Sequence, residues 1–374
     1  MEKFTSGHWV KREGFKSFEP MSINHRWEIK DLRIIEALSR ADRHLGRLDM
    51  FSEYVPNLDL FVQMHVTKEA TLSSRIEDTK TEIEEAILPE EEISIERRDD
   101  WREVNNYIHA LNEATSSLNK LPFSNRLLKN AHETLMRGVR GESKTPGEFR
   151  LSQNWIGGSN PGNARFVPPS HASVPELMSD LEKFAHNEDL QIPPLIKAAL
   201  LHYQFETIHP FLDGNGRIGR LMIPLYLIAV GILKQPVLYI SDYLERNREE
   251  YYERLTLVRS KNAISDWIIF FLDGVSETSR RGVETFDNIL QFERHWESTM
   301  QTWKPHSTSG LALFKYLFRN PCVKAQQVAT AASVSLPTAY KLIDRFIKNK
   351  LLREITGAKR DRLFLFDPYL KLFR

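Results

Sequence analysis

The sequence predicts a mainly α-helical protein that contains more than one domain. Apolar residues recur at helical spacing along most of the chain, as they do at Leu32, Ile35 and Leu38. Residues 141–170 are dense in glycine and proline and lose this period, so we expect no more than a short β-hairpin there. Residues 311–366 have the pattern of three short helices followed by two strands, which separates this tail from the rest of the chain.

The composition is that of an ordinary globular protein. The 374 residues suffice for two or three domains, and 51 Lys and Arg balance 50 Asp and Glu, which gives no overall attraction to nucleic acid or membranes. The lone Cys322 excludes an internal disulfide and fits a reducing cytosol. The longest apolar run, residues 221–233, is too short to span a bilayer, and the first residues lack the apolar core of a signal peptide. We therefore expect a cytoplasmic protein without membrane contact.

The N-terminal region, residues 1–100, is predicted to be helical after an irregular arm over residues 1–30. Helical periodicity begins at Asp31 and continues to about Val55. After a break, a second helix is predicted over about residues 64–87.

One face of this second helix is polar. Ser73 and Glu77 are four residues apart, so a hydroxyl and a carboxylate project from the same side of the helix. Taken alone, this pattern is typical of a solvated helix face.

The most informative stretch is residues 209–220, which read HPFLDGNGRIGR. The helix predicted over residues 193–208 must end at His209, because Pro210 disfavours the α conformation in the residue before it. A second helix is predicted over residues 217–230. The compact Asp-Gly-Asn-Gly turn between the helices leaves the N–H groups and partial positive charge of the second helix facing the turn. This arrangement predicts an anion site that suits phosphate.

The side chains of the stretch agree with a phosphate site. Arg217 and Arg220 are three residues apart, so they share one helix face and both reach the anion. Asp213 is a hard oxygen ligand suited to a magnesium ion that bridges phosphates. His209 takes a proton near neutral pH. A plain helix–turn–helix corner is the alternative, but a corner does not require a histidine, an aspartate, an asparagine and two arginines together.

The same stretch also satisfies the pattern G-x-G-x-x-G, over residues 214–219. The dinucleotide-binding version of that pattern needs a strand before the first glycine. Here the preceding segment is helical and ends in His-Pro, so we reject a dinucleotide fold.

The motif His-x-Phe-x-Asp-Gly-Asn-Gly-Arg-x-x-Arg resembles the signature of Fic (filamentation induced by cAMP) proteins. The resemblance implies a helical core and transfer of AMP from ATP to a hydroxyl of a target protein. His209 would be the general base, and Asp213 would bind Mg²⁺. The remaining positions would hold the triphosphate: Asn215 with the amides of Gly214 and Gly216 at the α- and β-phosphates, and Arg217 and Arg220 at the β- and γ-phosphates.

The resemblance also gives the polar face of the second helix a role. Many Fic proteins carry an inhibitory helix with Ser/Thr-x-x-x-Glu followed by Gly or Asn, and Ser73 and Glu77 match that pattern. Asp78 departs from it, because Gly or Asn is usual at this position. The resemblance implies a salt bridge from Glu77 to Arg220, which would deny the γ-phosphate its partner.

Two further regions take roles from the resemblance. Residues 151–156 and 164–167 would form a hairpin, the flap, that holds the target protein by strand addition; a plain surface hairpin is the alternative. Asn247 with Tyr251 or Tyr252 would lie nearest the adenine, although paired tyrosines on a helix usually belong to a core.

The tail is predicted to follow a linker over residues 304–310. Its order of helix, helix, helix and hairpin is that of a winged-helix domain, with elements at Leu311–Leu317, Ala325–Ala332, Leu336–Lys348, Leu351–Ile355 and Arg362–Phe366. From residue 315 to the end, 13 Lys and Arg face 4 Asp and Glu. Lys341, Arg345 and Lys348 form a basic line on the third helix, so residues 309–374 are candidates for contact with DNA or with a protein.

We thus predict an N-terminal helical region (1–100), a Fic core (101–303) and a linker with a winged-helix domain (304–374). The main prediction is a protein adenylyltransferase that Glu77 inhibits and that can also modify itself. Two alternatives stay open: removal of AMP from a modified protein, with Glu77 activating water, and a DNA-binding regulator whose core senses nucleotide. The target protein, the choice of AMP over another nucleotide moiety, and a monomer or homodimer are not determined by the sequence.

Overall fold

Helices form most of the structure, which confirms the mainly α prediction. The computed structural model describes residues 4–54, 58–357 and 361–373. The strands in these ranges are short and belong to two small sheets, one near the N-terminus and one in the tail. No helix in these ranges is long and apolar enough to cross a membrane.

An antiparallel hairpin occupies part of residues 1–30, so the prediction of an irregular arm is wrong. Its strands are β1 (Gly7–Lys11) and β2 (Lys16–Pro20). Phe18 on β2 is fully buried, and its N–H donates to the carbonyl of Val167 at 2.9 Å. Strands this short gain their stability from neighbours that are distant in sequence, which explains why the local pattern did not predict them.

The N-terminal helices are α1 (Leu32–Tyr54), α2 (Leu58–Ile76) and the single turn α3 (Ile83–Ala86). Helix α2 ends well before residue 87, so its predicted C-terminal end is wrong. Asp78 has a φ of 68°, and this left-handed conformation ends a helix. Gly and Asn adopt it most easily, which explains their preference at this position, and Asp tolerates it better than most residues do.

The middle of the chain consists of eight further helices. In chain order they are α4 (Arg98–Ser117), α5 (Asn125–Leu135), α6 (Val174–His186), α7 (Pro194–Ile208), α8 (Asn215–Ala229), α9 (Ser241–Arg246), α10 (Arg248–Lys261) and α11 (Ile264–Gln301). Every residue of α7 after Pro194 is buried, so this helix lies at the centre of the core. Helices α7 and α8 pack against each other and are joined by residues 209–214.

Helix α11 is the long helix that closes this middle region, and it runs without a break for 38 residues. Helix α1 packs along α11, and this contact buries an apolar face of each helix.

The predicted flap hairpin is reduced to a single bridge between Ile156 and Phe166. The N–H of Ile156 donates to Phe166 O at 2.8 Å, and the N–H of Arg165 donates to Ile156 O at 2.9 Å. The prediction of two regular strands at 151–156 and 164–167 is therefore wrong, although the two segments do meet across the turn. With Pro161 and several glycines in that turn, few residues remain to extend a ladder.

The tail has the predicted order of elements, with one strand and one C-terminal helix added. In chain order these are α12 (Ser307–Arg319), β3 (Cys322–Lys324), α13 (Ala325–Ala331), α14 (Leu336–Lys348), β4 (Arg353–Glu354), β5 (Leu363–Leu365) and α15 (Asp367–Lys371). The strands form one antiparallel sheet in the order β3-β5-β4. Part of the predicted turn at 357–360 lies outside the described residues, as does the predicted end of the first helix near Val55. The winged-helix assignment stays a prediction.

The tail packs against the rest of the chain, so the predicted linker over residues 304–310 is largely wrong. Helix α12 already begins at Ser307. The ring of Phe292 on α11 lies 6.0 Å from Phe314 and 5.8 Å from Phe366, measured between ring centroids. At the end of the chain, Phe373 meets the ring of His65 on α2 edge-on at 5.0 Å.

Candidate active site

A short loop between α7 and α8 holds the motif, and its two ends have left-handed backbone conformations. His209 has a φ of 51° and ends α7, as the proline after it predicts, and its N–H makes the last helical bond to Phe205 O at 2.8 Å. Gly214 has a φ of 72° and precedes the first residue of α8. A Cβ at Gly214 would lie 2.9 Å from the sulfur of Met136, so the loop also needs a small residue there.

The side chain of Asn215 holds this loop together rather than facing a ligand. Its Oδ1 accepts from the N–H of Phe211 at 2.8 Å, and its Nδ2 donates to Phe211 O at 2.9 Å. The N–H of Gly214 donates to Asp213 Oδ1 at 2.7 Å. The predicted contacts of the Asn215 side chain and the Gly214 amide with phosphate therefore need correction, because both groups are already engaged.

The start of α8 still presents an anion site. The first intrahelical bond runs from the N–H of Ile218 to Gly214 O at 3.0 Å, so the N–H groups of Asn215, Gly216 and Arg217 precede it. These groups and the helix dipole favour a negative charge at this point. The carboxylate of Glu77 lies over Gly216, where an added Cβ would be 2.1 Å from its Oε1.

Arg217 is buried and held by two carboxylates. Its Nη1 lies 3.0 Å from Glu103 Oε2, and its Nη2 lies 3.9 Å from Asp213 Oδ1. Burial raises the pKa of Glu103, although Arg217 and Arg140 oppose this shift. The sequence did not point to Glu103, which is distant along the chain and lies on the amphipathic helix α4.

Arg220 is 1% exposed and bonds to the segment that contains Ser73 and Glu77. Its Nε donates to Ser73 Oγ at 2.8 Å, and its Nη2 donates to Ser73 O at 2.9 Å and to Glu77 Oε1 at 2.8 Å. Burial would raise the pKa of Glu77, but Arg220 outweighs burial and the pKa lies below its ordinary value. The three residues are thus brought together in the way that the resemblance implied.

His209 is neutral at physiological pH. Burial lowers the pKa of its imidazole to about 4, and the cations Arg150 and Arg259 add to this shift. Its Nδ1 is buried and has no hydrogen-bond partner among the described residues. A neutral imidazole has a free lone pair, which is the form that a general base requires.

Arg150 fixes the backbone around His209, and the sequence did not predict this role. It is fully buried, and burial lowers the pKa of its guanidinium to about 10. Its nitrogens donate to the carbonyls of His209 at 2.9 Å, Ser152 at 3.1 Å, Pro169 at 2.6 Å and Ile208 at 3.3 Å. One side chain therefore ties the flap to the motif loop.

We expect Arg150→Met to lower the free energy of unfolding by roughly 2–4 kcal/mol, because it leaves buried carbonyls without donors. Urea unfolding followed by circular dichroism measures the change. Arg126→Met, at an exposed position on α5, is the control and should stay within about 0.5 kcal/mol of the native protein. Equal stability of the two variants would contradict the structural role.

Asp213 faces a cation in the structure. Its Oδ2 lies 2.9 Å from the Nζ of Lys144, and this contact outweighs burial, so the pKa of the carboxyl is lowered. The carboxylate is ionised and already contacts a positive charge, so it is suited to serve as a metal ligand. Among the described residues no cluster of three or more His, Cys, Asp or Glu could hold a metal ion. Mg²⁺ binding through Asp213 stays a prediction.

One cavity of about 560 Å³ is lined by the motif side chains and by carboxylates from two other segments: His209, Asp213, Arg217, Arg220, Glu77 and Glu103. The flap contributes Trp155, Ile156 and Gly157 to the wall, and α10 contributes Tyr251 and Tyr252. Tyr251 is buried, and its hydroxyl lies 2.9 Å from His202 Nε2, so it also belongs to the core.

Asn247 is not part of the cavity wall. Its amide donates to the carbonyl of Tyr243 at 2.9 Å and caps the end of α9. The structure therefore does not place Asn247 at the site for the predicted adenine contact, whereas Tyr251 and Tyr252 both line the cavity.

Comparison with known proteins agrees with this geometry. Residues 35–116 match the family model described as Fic/DOC family N-terminal, and residues 122–227 match the model described as Fic/DOC family. The second match includes α7, the motif loop and most of α8. The chain belongs to the Fic/DOC family.

The similar proteins include ones named as adenylyltransferases. A protein of Aquifex aeolicus (strain VF5), named as a probable protein adenylyltransferase, is 29% identical over 260 residues, which cover 69% of this chain and 74% of that protein. The protein adenylyltransferase Fic of Drosophila erecta is 32% identical over 133 residues. That match covers 35% of this chain and only 24% of the Drosophila protein. The predicted enzyme class, a nucleotidyltransferase, is thus confirmed at the level of the family.

Solved structures share the fold. A Fic family protein from Desulfovibrio desulfuricans G20 superposes with a TM-score of 0.60 at 21% identity, over 91% of this chain and 98% of that chain. A Fic domain-containing signaling protein from Bacteroides thetaiotaomicron VPI-5482 gives a TM-score of 0.52 at 20% identity, over 68% of this chain and 95% of that chain. At this identity the likeness concerns the fold alone.

Proposed function

We propose that this Fic protein transfers AMP from ATP to a Ser, Thr or Tyr hydroxyl of a target protein. The observation that carries the proposal is a neutral histidine, His209, in one cavity with a helix N-terminus and with Arg217 and Arg220. The helix N-terminus and Arg217 suit a triphosphate, and the histidine suits an incoming hydroxyl.

In the proposed reaction the target hydroxyl attacks the α-phosphorus of ATP, and the bond between the α-phosphorus and the bridging oxygen breaks. The hydroxyl proton goes to His209, and pyrophosphate leaves. Because Nδ1 of His209 is buried, Nε2 is the nitrogen proposed to receive this proton. A positioned base contributes on the order of 10²–10⁴-fold, and stabilisation of the phosphate charge contributes the larger part.

Mg²⁺ fits this reaction through Asp213, whose carboxylate already faces the ammonium group of Lys144. When bound, the ion neutralises phosphate charge. Lys144 would have to release the carboxylate oxygen that it now contacts, or share it.

We further propose that Glu77 inhibits the transfer. Its carboxylate forms a salt bridge with Arg220 at 2.8 Å and fills the space over Gly216. It thus lies where a phosphate would bind and neutralises the cation that would bind the phosphate. A triphosphate that enters the cavity must therefore displace Glu77 or bind in a shifted position.

The target protein is proposed to bind along residues 151–167. The support is that Trp155, Ile156 and Gly157 lie in the cavity wall, so an extended chain paired with this segment would run past His209. The opposite side of the flap is already occupied, because Val167 O accepts from β2. The single cysteine supports a reducing compartment, and a cytoplasmic location is part of this proposal.

Labelled ATP tests the proposed function. The protein is incubated with MgCl₂, cell lysate and ATP that carries ³²P in the α-phosphate, and labelled proteins are then analysed by mass spectrometry. We expect an AMP adduct on a hydroxyl side chain of a lysate protein or of the enzyme itself. Incorporation from a parallel sample with ATP labelled in the γ-phosphate, but not from the α-labelled ATP, would indicate a kinase and contradict the proposal.

Removal of AMP is the alternative reaction, because the ionised Glu77 lies in the same cavity and could orient a water molecule. Self-modified protein prepared from a Glu77→Gln variant separates the two reactions. Loss of the label after addition of unmodified wild-type protein would favour removal, whereas a stable label favours transfer.

The tail is proposed to bind DNA weakly through phosphate charge. Lys341 and Lys348 are exposed on α14, whereas Arg345 is partly buried, with its guanidinium 4.4 Å from the centroid of the Trp303 ring. The two exposed lysines are therefore the proposed phosphate contacts. Contact of the tail with a protein is the alternative use of this surface.

Gel retardation of duplex DNA by the full chain at low salt measures this binding. We expect Lys341→Gln with Lys348→Gln to weaken it and to reduce the slope of log K against log salt by roughly two. Lys183→Gln with Lys261→Gln, at exposed positions on α6 and α10, is the charge-matched control. If the full chain does not retard DNA even at low salt, the tail does not bind DNA.

A further inference from the structure

Glu206 is a buried carboxyl group that the mechanism has not yet used. It lies on α7 one turn before His209, is 6% exposed, and contributes to the cavity wall. Its Oε1 is buried and has no hydrogen-bond partner among the described residues. A buried carboxyl oxygen without a partner is costly, so its retention calls for an explanation.

The nearest candidate partner is the histidine of the motif. Oε2 of Glu206 lies 4.0 Å from Nδ1 of His209, which also lacks a hydrogen-bond partner in the described part of the chain. The main-chain carbonyl of Glu206 also faces the His209 ring, and it accepts from Arg259 Nη2 at 3.3 Å. A separation of 4.0 Å is about 1 Å too long for a hydrogen bond, and such contacts are often long before substrate binds.

The neighbouring helix makes room for this carboxyl. Gly219 lies in the middle of α8, where glycine costs roughly 1 kcal/mol relative to alanine. A Cβ at this position would be 2.4 Å from Oε1 of Glu206 and 3.2 Å from the ring of Phe205. The glycine is thus explained by the close approach of Glu206, and the carboxyl occupies a space built for it.

We propose that Glu206 is a positioning residue that accepts the Nδ1–H of His209 and so leaves Nε2 unprotonated to take the proton of the target hydroxyl. This inference rests on the proposed transfer reaction for its consequence, although the tautomer itself exists without substrate. The proton of the hydroxyl moves to Nε2 while the proton on Nδ1 stays shared with Glu206. The imidazolium that forms is then next to a carboxylate, which stabilises it.

The protonation of Glu206 gives the pair a pH dependence. Burial raises the pKa of Glu206 to about 7, and the charged or titratable groups that face it are His209, Glu77, Arg220, Arg259, Tyr251 and Tyr252. Above this pKa the carboxylate accepts from Nδ1. Below it the neutral acid donates to Nδ1, which moves the imidazole proton to Nε2 and removes the base. Activity should therefore fall as the pH drops through about 7, although His209 itself protonates only near 4.

Histidine tautomers in the free protein test the geometry without any enzymatic assay. The protein is labelled with ¹⁵N-histidine, and the signals of His209 are assigned by their loss in His209→Asn. At pH 8 we expect His209 in the wild type to carry its proton on Nδ1. In Glu206→Leu, which leaves no acceptor at this position, we expect a mixture of tautomers or the Nε2–H form. An unchanged tautomer in Glu206→Leu would overturn the proposal.

A pH profile of self-modification tests the consequence. It is measured in a Glu77→Gln background, where removal of a nearby negative charge places the acidic limb at or somewhat below pH 7. Adding Glu206→Gln should lower kcat at pH 8 by roughly 10–100-fold, leave the KM for ATP unchanged and abolish that limb. Glu206→Asp should retain the limb, and Glu293→Gln on α11, whose carboxyl is also half-buried, should behave as the background does.

Each outcome of these two experiments decides something. A limb that persists in Glu206→Gln, with kcat unchanged, rejects the proposal for Glu206. Absence of any AMP incorporation in every variant rejects the proposed function instead, and the tautomer measurement then still decides whether Glu206 orients His209. Thermal unfolding of each variant shows whether a lost activity reflects a lost fold.

Discussion

Replacement of Glu77 by Gln should raise AMP incorporation by about 100-fold. The physical reason is that the carboxylate forms a salt bridge with Arg220 at 2.8 Å and lies over the start of α8. The amide N–H groups at that helix end would otherwise be free to bind a phosphate. A triphosphate displaced by such a group presents its α-phosphorus in the wrong direction, and a misplacement of about 1 Å can cost about 100-fold. Glutamine keeps the size of the side chain and removes its charge.

The measurement is the rate of incorporation from ATP labelled at the α-phosphate, together with the dissociation constant for ATP from calorimetry. We expect the rate to change far more than the affinity, because the Glu77 carboxylate changes the position of the phosphates rather than the strength of ATP binding. Glu91→Gln removes the same charge at an exposed position outside the cavity and is the control. If Glu77→Gln is no more active than Glu91→Gln, the contact between Glu77 and Arg220 is not an electrostatic brake.

Replacement of His209 by Ala should reduce transfer by about 10²–10⁴-fold in the Glu77→Gln background. His209 ends α7 and precedes the amide groups of α8, so its imidazole serves the proton and not the phosphates. The pKa of about 4 means that the native side chain is almost entirely in the basic form at neutral pH. ATP affinity should therefore stay within a few-fold of the parent variant.

The same two measurements check this prediction, with kcat and ATP affinity determined side by side. His171→Ala, at an exposed position before α6, is the matched control and should leave both unchanged. An equal loss of affinity and turnover in His209→Ala would assign the residue to ATP binding or to the structure of the loop.

The fold class and the centre of the site could be predicted from the sequence because they depend on neighbours in the chain. Pro210 restricts the residue before it, so α7 ends at His209, and the glycines after Asp213 allow α8 to begin at once. The resemblance of residues 209–220 to the Fic signature implied that Glu77 meets Arg220, and the structure has this contact. Asp78 shows the limit of such patterns, because the helix ends there although the predicted helix continued to residue 87.

Other features depend on the tertiary structure, because residues that are neighbours in the chain do not determine them. The hairpin of β1 and β2 depends on Val167, and the guanidinium of Arg345 lies over the ring of Trp303. In both cases a contact between distant segments overrides the local preference of the residues.

The protonation and pairing of the site residues also depend on the tertiary structure. The sequence by itself determined that a histidine, an aspartate and two arginines surround a helix N-terminus. Only the packed structure decided that His209 is neutral, that Arg220 is paired with Glu77, and that the Asn215 side chain is committed to the loop. The physical reason is that burial and nearby charges set protonation and pairing, and both are properties of the assembled core rather than of the order of residues.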